Sequence, residues 1–313
     1  MKKEYLILIV VIIFAGSYLL LHKENRDNYK LPEIEDINTS KLTGIIIKSS
    51  NGNIKFIKKG ENWILTDKEF PADSSSVQDM FDTLKTFKLT ALVSQKKDLQ
   101  RYELDEKKHV HVKLLENSKT IFEFTIGKPA PSFNHTFVML ANDKNIYHAN
   151  GSFRGDFNQS LDDFRDKKIL EFHEESIKQF SIEKDGKSKT LISKEEKSEE
   201  KENNITWSSE DGTSVDKEAV SDLLSNISFL ECEKYPNTPD KNSLKNKKSL
   251  CRIQLENKNT IELTLYKNDK QDNIIGISSM NDYLFSLSES DGSRIVENIE
   301  KLLGIEKKEE KEN

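Results

Sequence analysis

The chain nearly repeats itself, and that repetition constrains the fold more than any other feature of the sequence. Leu115-Glu116-Asn117-Ser118-Lys119-Thr120-Ile121 returns 140 positions later as Leu255-Glu256-Asn257-Lys258-Asn259-Thr260-Ile261. Trp63 answers to Trp207, and Asp73 to Asp216, at closely similar shifts. Duplication preserves packing positions first. Residues present in both copies are therefore assigned to folding, and residues present in one copy become the candidates for function.

Each copy reads as the same order of elements. Gly44–Lys48 and Asn53–Lys58 form a hairpin across Ser49-Ser50-Asn51-Gly52, with Asn-Gly supplying the positive φ angles of a tight turn. A third short strand carries Trp63. Pro71-Ala72-Asp73 then opens a helix that Asp73 is placed to cap, with Val77, Met80, Phe81, Leu84 and Phe87 recurring at helical spacing. Asp216, Val220, Leu223, Leu224, Ile227 and Leu230 repeat this pattern at a constant shift of 143. The tryptophans and the two capping aspartates are thus read as structural, the tryptophans as core anchors.

Alternating strands follow the helix. Val110, Val112 and Leu114 share a face with Phe122, Phe124 and Ile126, as Ile253 and Leu255 do with Ile261, Leu263 and Leu265. Matched by these faces the shift is 141 before the turn and 139 after it, so the second hairpin loop is two residues shorter. The literal identities at 140 disagree by one; since a slip of one residue turns a strand over, the apolar faces take precedence. Strands near Thr136–Leu140 and Asn145–Ala149 match Asn273–Ser278 and Tyr283–Ser288, and Ser152 and Ser293 are placed to cap closing helices. The predicted class is α+β: an N-terminal transmembrane helix followed by two tandem, internally duplicated α+β units with antiparallel sheets and helices on one face.

The predicted organisation is a signal-anchor at 1–22, a stalk at 23–40, a first unit at 41–172, a second at 173–304 and a disordered charged tail at 305–313. The run Tyr5–Leu21 is free of charge, and as a helix it reaches roughly 25 Å, near the lower limit for a bilayer. Ala15 and Ser17 suit signal cleavage, but Tyr18-Leu19-Leu20-Leu21 continues the apolar run past that point, which favours an uncleaved anchor. Lys2 and Lys3 favour a cytoplasmic N-terminus, which places the bulk of a single-pass chain outside the cytoplasm. Charged residues of both signs make up 33% with a net charge of -6, leaving no basic stripe for nucleic acid. Lys194–Glu202, dense in charge ahead of Trp207, reads as a solvated loop.

Few residues remain as candidates for chemistry. His109 and His111 lie two apart on a strand, a spacing metals use, with His135 or His148 as a third ligand; no metal or cofactor is assigned, because their neighbours Val110 and Val112 occupy the core face and turn the histidines to solvent. Cys232 and Cys251, the only cysteines, either form a disulfide in an oxidising compartment or are two small buried residues. Arg165 and Asp166, in the segment Asp162–Asp166, are either an interaction site or helix-end charges. No phosphate loop, nucleophile elbow or His-Glu-x-x-His motif is present, and the chain is read as a non-enzyme.

Trp63, Pro71-Ala72-Asp73 opening a helix, and Phe164-Arg165-Asp166-Lys167-Lys168-Ile169-Leu170 closing the first unit resemble the pattern of a bacterial family, domain of unknown function 4340. The resemblance implies a membrane-anchored, duplicated envelope protein often encoded beside ABC-type permease components similar to those of the gliding-motility transporter. The expectation is an interaction protein of the bacterial inner membrane with its bulk in the periplasm. It would touch the membrane through residues 5–21 and have an envelope protein, such as a permease component, as partner. The alternative is a module that binds or hydrolyses envelope glycan or lipid in the cleft between the repeats.

Overall fold

The computed structural model describes residues 29–305 except for 66–68, 97, 198–202, 214, 237–240, 245–246, 258, 269–272 and 282, together with residues 10–14 and 16–18. Most of the predicted span Tyr5–Leu21 and the tail beyond Ile305 lie outside the described residues. Among the described residues no helix is long and apolar enough to cross a membrane. The fold is α+β and rich in sheet, its paired strands antiparallel. It divides into two compact units at Arg165/Asp166, ahead of the expected boundary at 172/173.

The first unit runs β1 (Gly44–Ser49), β2 (Gly52–Lys59), β3 (Asn62–Leu65), β4 (Phe70–Pro71), α1 (Ser74–Lys85), β5 (Leu89–Ser94), β6 (Val110–Glu116), β7 (Lys119–Pro129), β8 (His135–Leu140), β9 (Ile146–Asn150) and α2 (Arg154–Phe157). Its sheet has the order β4-β3-β2-β1-β6-β7-β8-β9-β5. The β1–β2 turn is tighter than predicted: Ser49 already pairs with Gly52, leaving Ser50-Asn51 as the loop, and the positive φ of 119° falls on Gly52.

The second unit runs β10 (Lys168–Glu171), β11 (Gln179–Lys184), β12 (Lys187–Lys197), β13 (Asn203–Ser209), α3 (Lys217–Ser228), β14 (Phe229–Glu231), β15 (Cys251–Glu256), β16 (Thr260–Lys267), β17 (Ile274–Ser278), β18 (Phe285–Ser286) and α4 (Glu289–Leu303). Its main sheet has the order β13-β12-β11-β15-β16-β17-β18, which is the first unit's β3-β2-β1-β6-β7-β8-β9 strand for strand. β10 pairs with β14 in a separate two-stranded sheet, which is why the division falls before it. Lys194–Lys197 is not loop as expected; these residues extend β12 and pair with β13.

The helices form where the sequence places them. Asp73 accepts the Ser76 amide at 2.7 Å, and Asp216 accepts those of Glu218 and Ala219 at 3.1 Å each, satisfying donors that a helix N-terminus leaves open. Val77, Met80 and Leu84 are buried in the first unit, and Val220, Leu223, Leu224 and Ile227 in the second. The closing helices depart from prediction. α4 begins a turn earlier than Ser293, because Ser288 caps it by accepting the Asp291 amide at 3.1 Å. Gly292 is inside the helix, where a Cβ would meet Ile274 at 2.8 Å. α2 has only four residues and no side-chain cap.

Register follows the apolar faces. Leu114 pairs with Phe122 and Leu255 with Ile261, and all but the half-buried Phe122 are buried. The first hairpin is two residues longer between these matched pairs because it has one further cross-strand pair and a bulge at Ile121, which is 42% exposed, while its loop is one residue shorter. The second loop, 257–259, is therefore the longer of the two and not the shorter one expected. Its turn is Asn117-Ser118, both at positive φ.

Candidate functional site

The residues singled out in the sequence do not converge. His111, half-buried on β6, has both ring nitrogens engaged: Nδ1 with the Thr125 hydroxyl at 3.2 Å and Nε2 with Glu123 at 2.9 Å. Lys113 reaches the same Glu123 oxygen at 3.0 Å. Burial lowers the His111 pKa more than Glu123 raises it. His109 stands beside it with ring centroids 6.2 Å apart, whereas His135 and His148 stack on each other at 5.3 Å across β8 and β9. With β7 between the two pairs, the third ligand is not brought to His109 and His111. No described residues form a group of three or more His, Cys, Asp or Glu that would hold a metal.

Cys232 and Cys251 are thiols rather than a disulfide, both buried in the apolar core of the second unit. Cys251 opens β15 in the main sheet; Cys232 follows β14 and donates its backbone amide to the carbonyl of Lys167, just ahead of β10. Burial pushes the Cys251 thiol up to about 12.

Arg165 packs into the end of the first unit. It is only 7% exposed, and its guanidinium lies 3.5 Å from the centroid of Phe70 and 3.6 Å from Asp162. Its backbone bridges Ala72, and the neighbouring Phe164 carbonyl accepts the Asp73 amide at 2.8 Å. In the second unit Asp166 accepts the Lys168 amide at 2.9 Å through its side chain and the Tyr235 hydroxyl at 2.7 Å through its backbone.

A site does form around Trp207, inside the second unit. In the first unit Trp63 packs edge-on against Phe81, with centroids 5.6 Å apart. The matched position in the second unit is Leu224. Trp207 packs edge-on against Phe180 at 5.0 Å instead, and a pocket of about 490 Å³ opens between β13 and α3. It is lined by Phe172, Glu174, Glu175, Trp207, Lys217 and Leu224, among others. Burial, and then the adjacent Glu175 charge, push the Glu174 carboxyl above the usual carboxylate range. Among the described residues, neither carboxylate has an ion-pair or hydrogen-bond partner. Sequence reasoning placed Trp207 in the core and missed the pocket; the signal was the change from Phe81 to the smaller Leu224 at matched helical positions.

The two units also differ at the strand beside this pocket. In the first, β4 covers the outer edge of β3: Leu65 pairs with Phe70, Ile64 with Pro71, and the Ala72 amide donates to the Trp63 carbonyl at 2.9 Å. In the second, β13 ends the sheet, and among the described residues no strand lies on its outer side.

A family model described as Domain of unknown function (DUF4340) matches residues 63–249, more than half of the chain, from within the first unit to well inside the second. No curated protein and no solved structure matches the chain.

Proposed function

The chain belongs to the DUF4340 family, and from that premise we propose that it is a non-enzymatic interaction protein, anchored in the bacterial inner membrane by Tyr5–Leu21. Its two units lie in the periplasm, and its partner is an envelope protein, such as a permease component of an ABC-type transport system. The observation that carries the reading is the asymmetry between the units: the first covers the outer edge of its sheet with its own chain, and in the second no strand among the described residues covers the same edge, which lies beside a pocket. An open strand edge is a ready template for pairing with another chain. The uncharged run at the N-terminus supports the anchor. The test is purification of the full chain from detergent, with and without residues 5–21. A defined envelope protein retained through washing is the expected result, and a solitary monomer in both cases counts against it.

A second reading, an envelope glycan or lipid binding or hydrolysing module, draws on the pairing of Trp207 with the raised carboxyl of Glu174. Aromatic platforms and a carboxyl whose pKa is raised by burial are the usual equipment for such substrates. Release of soluble fragments from purified cell-wall glycan, abolished by Glu174→Gln, would favour it over the interaction role.

A further inference from the structure

The open edge of β13 has a direction and a chemistry. The Ser193 amide donates to the Lys178 carbonyl at 2.9 Å, so the backbone groups of Ser193 point toward β11. Ser193 is paired with Trp207 across an antiparallel ladder. In such a ladder both members of a non-hydrogen-bonded pair direct their amide and carbonyl away from each other. The N–H and C=O of Trp207 therefore point out of the sheet edge, and those of Ile205, two residues back, do the same. The equivalent outward carbonyl in the first unit, that of Trp63, is taken by Ala72. β13 presents this edge along seven residues.

The pocket beside that edge sets two carboxyl groups against one lysine and one histidine, His173. Glu174 and Glu175 both line it, and Lys217 is the one Lys or Arg among the residues that do. The indole of Trp207 forms part of the wall, and an indole face is the strongest aromatic partner for a cation. The same chain already seats a guanidinium on an aromatic ring beside the covered edge of the first unit, where Arg165 lies over Phe70.

We propose that the outer edge of β13 and the pocket beneath Trp207 together bind an extended segment of a partner protein bearing an arginine or lysine. The segment adds a strand to the sheet through the outward N–H and C=O groups of Ile205 and Trp207. Its basic side chain enters the pocket against the indole and beside Glu174 and Glu175. The backbone ladder supplies affinity that is indifferent to sequence, and the pocket selects the charge. This rests on the interaction reading above and specifies the surface and the partner's chemistry.

The test uses the full chain in detergent micelles and a peptide labelled at its N-terminus, fluorescein-aminohexanoyl-Val-Thr-Val-Arg-Val-Thr-Val-amide, followed by anisotropy. Replacing the peptide's arginine by glutamate is expected to weaken binding by about tenfold or more, as loss of an ion pair and a desolvated cation–π contact would. Leu224→Phe refills the pocket as Phe81 does in the first unit and is expected to have a similar effect. Because that variant changes the core, the surface double variant Glu174→Gln with Glu175→Gln is measured beside it, with circular dichroism reporting the fold of both. Failure of the arginine peptide to bind, or equal binding of the arginine and glutamate peptides, overturns the proposal. In the co-purification experiment, a partner retained equally by the native chain and by Leu224→Phe overturns this site and leaves the interaction reading standing. A chain that retains no partner overturns that reading itself.

Discussion

Asp211, just past β13, accepts three hydrogen bonds on one carboxylate oxygen: the Ser209 hydroxyl at 2.6 Å, the Thr213 amide at 2.9 Å and the Thr213 hydroxyl at 2.7 Å. These hold its pKa down to about 2. An unfolded aspartate titrates near about 3.9, so the native state binds the proton less readily. The stability this carboxylate contributes is present above that value and is lost as pH falls through about 2. A carbon-detected titration should place the Asp211 midpoint near the lower value, and Asp211→Asn should remove the corresponding part of the acid sensitivity. Cys251 sits at the opposite extreme, its thiol held neutral by burial, and iodoacetamide at about pH 8 should leave it unmodified until the chain is unfolded. Labelling of Cys251 in the native chain, read by mass spectrometry, would contradict the burial. At this scale the sequence revealed core identity better than core volume. Phe81 and Leu224 satisfy the same apolar helical position, yet the larger ring packs edge-on against Trp63 while the smaller side chain lines the pocket beside Trp207.

Among the elements, the strands were the most legible part of the chain, because a buried face repeats every two residues and cannot slip without exposing itself. The alternation at Val110, Val112 and Leu114 set the first register correctly, although identical letters at Leu115 and Leu255 argued for another. The bulge at Ile121 was not legible, since an extra residue in a strand leaves no mark on composition. Helix starts were less secure. Gly292-Ser293 resembled a cap, but Ser288, with Asp291 three residues on, was the competing signal that the structure uses. Ser288→Ala should therefore cost about 1 kcal/mol of stability in urea denaturation, while Ser293→Ala, inside the helix, should be nearly neutral. Equal costs would return the start of α4 to the position read from the sequence. The charge run at Lys194–Lys197 misled for a related reason. High charge argues against a buried face but does not tell a loop from a strand, and the backbone of Lys194–Lys197 pairs with β13 all the same.

For the molecule as a whole, the duplication predicts two cores, and the chain divides accordingly at Arg165/Asp166. Ile253 is fully buried in β15 and belongs to the core of the second unit, so Ile253→Ala removes apolar volume from that core alone. The expected loss is about 2–5 kcal/mol. The chain has two tryptophans, Trp63 in the first unit and Trp207 in the second, so each unit has its own fluorescent reporter once the other is replaced by phenylalanine. In urea, Ile253→Ala should move the transition seen by Trp207 to lower denaturant and leave the transition seen by Trp63 in place, because separate cores cooperate within themselves. If both transitions move together, the two copies unfold as one block. The open β13 edge would then have to be understood as a feature of a single cooperative structure rather than of one copy released from the packing duty that its twin still performs.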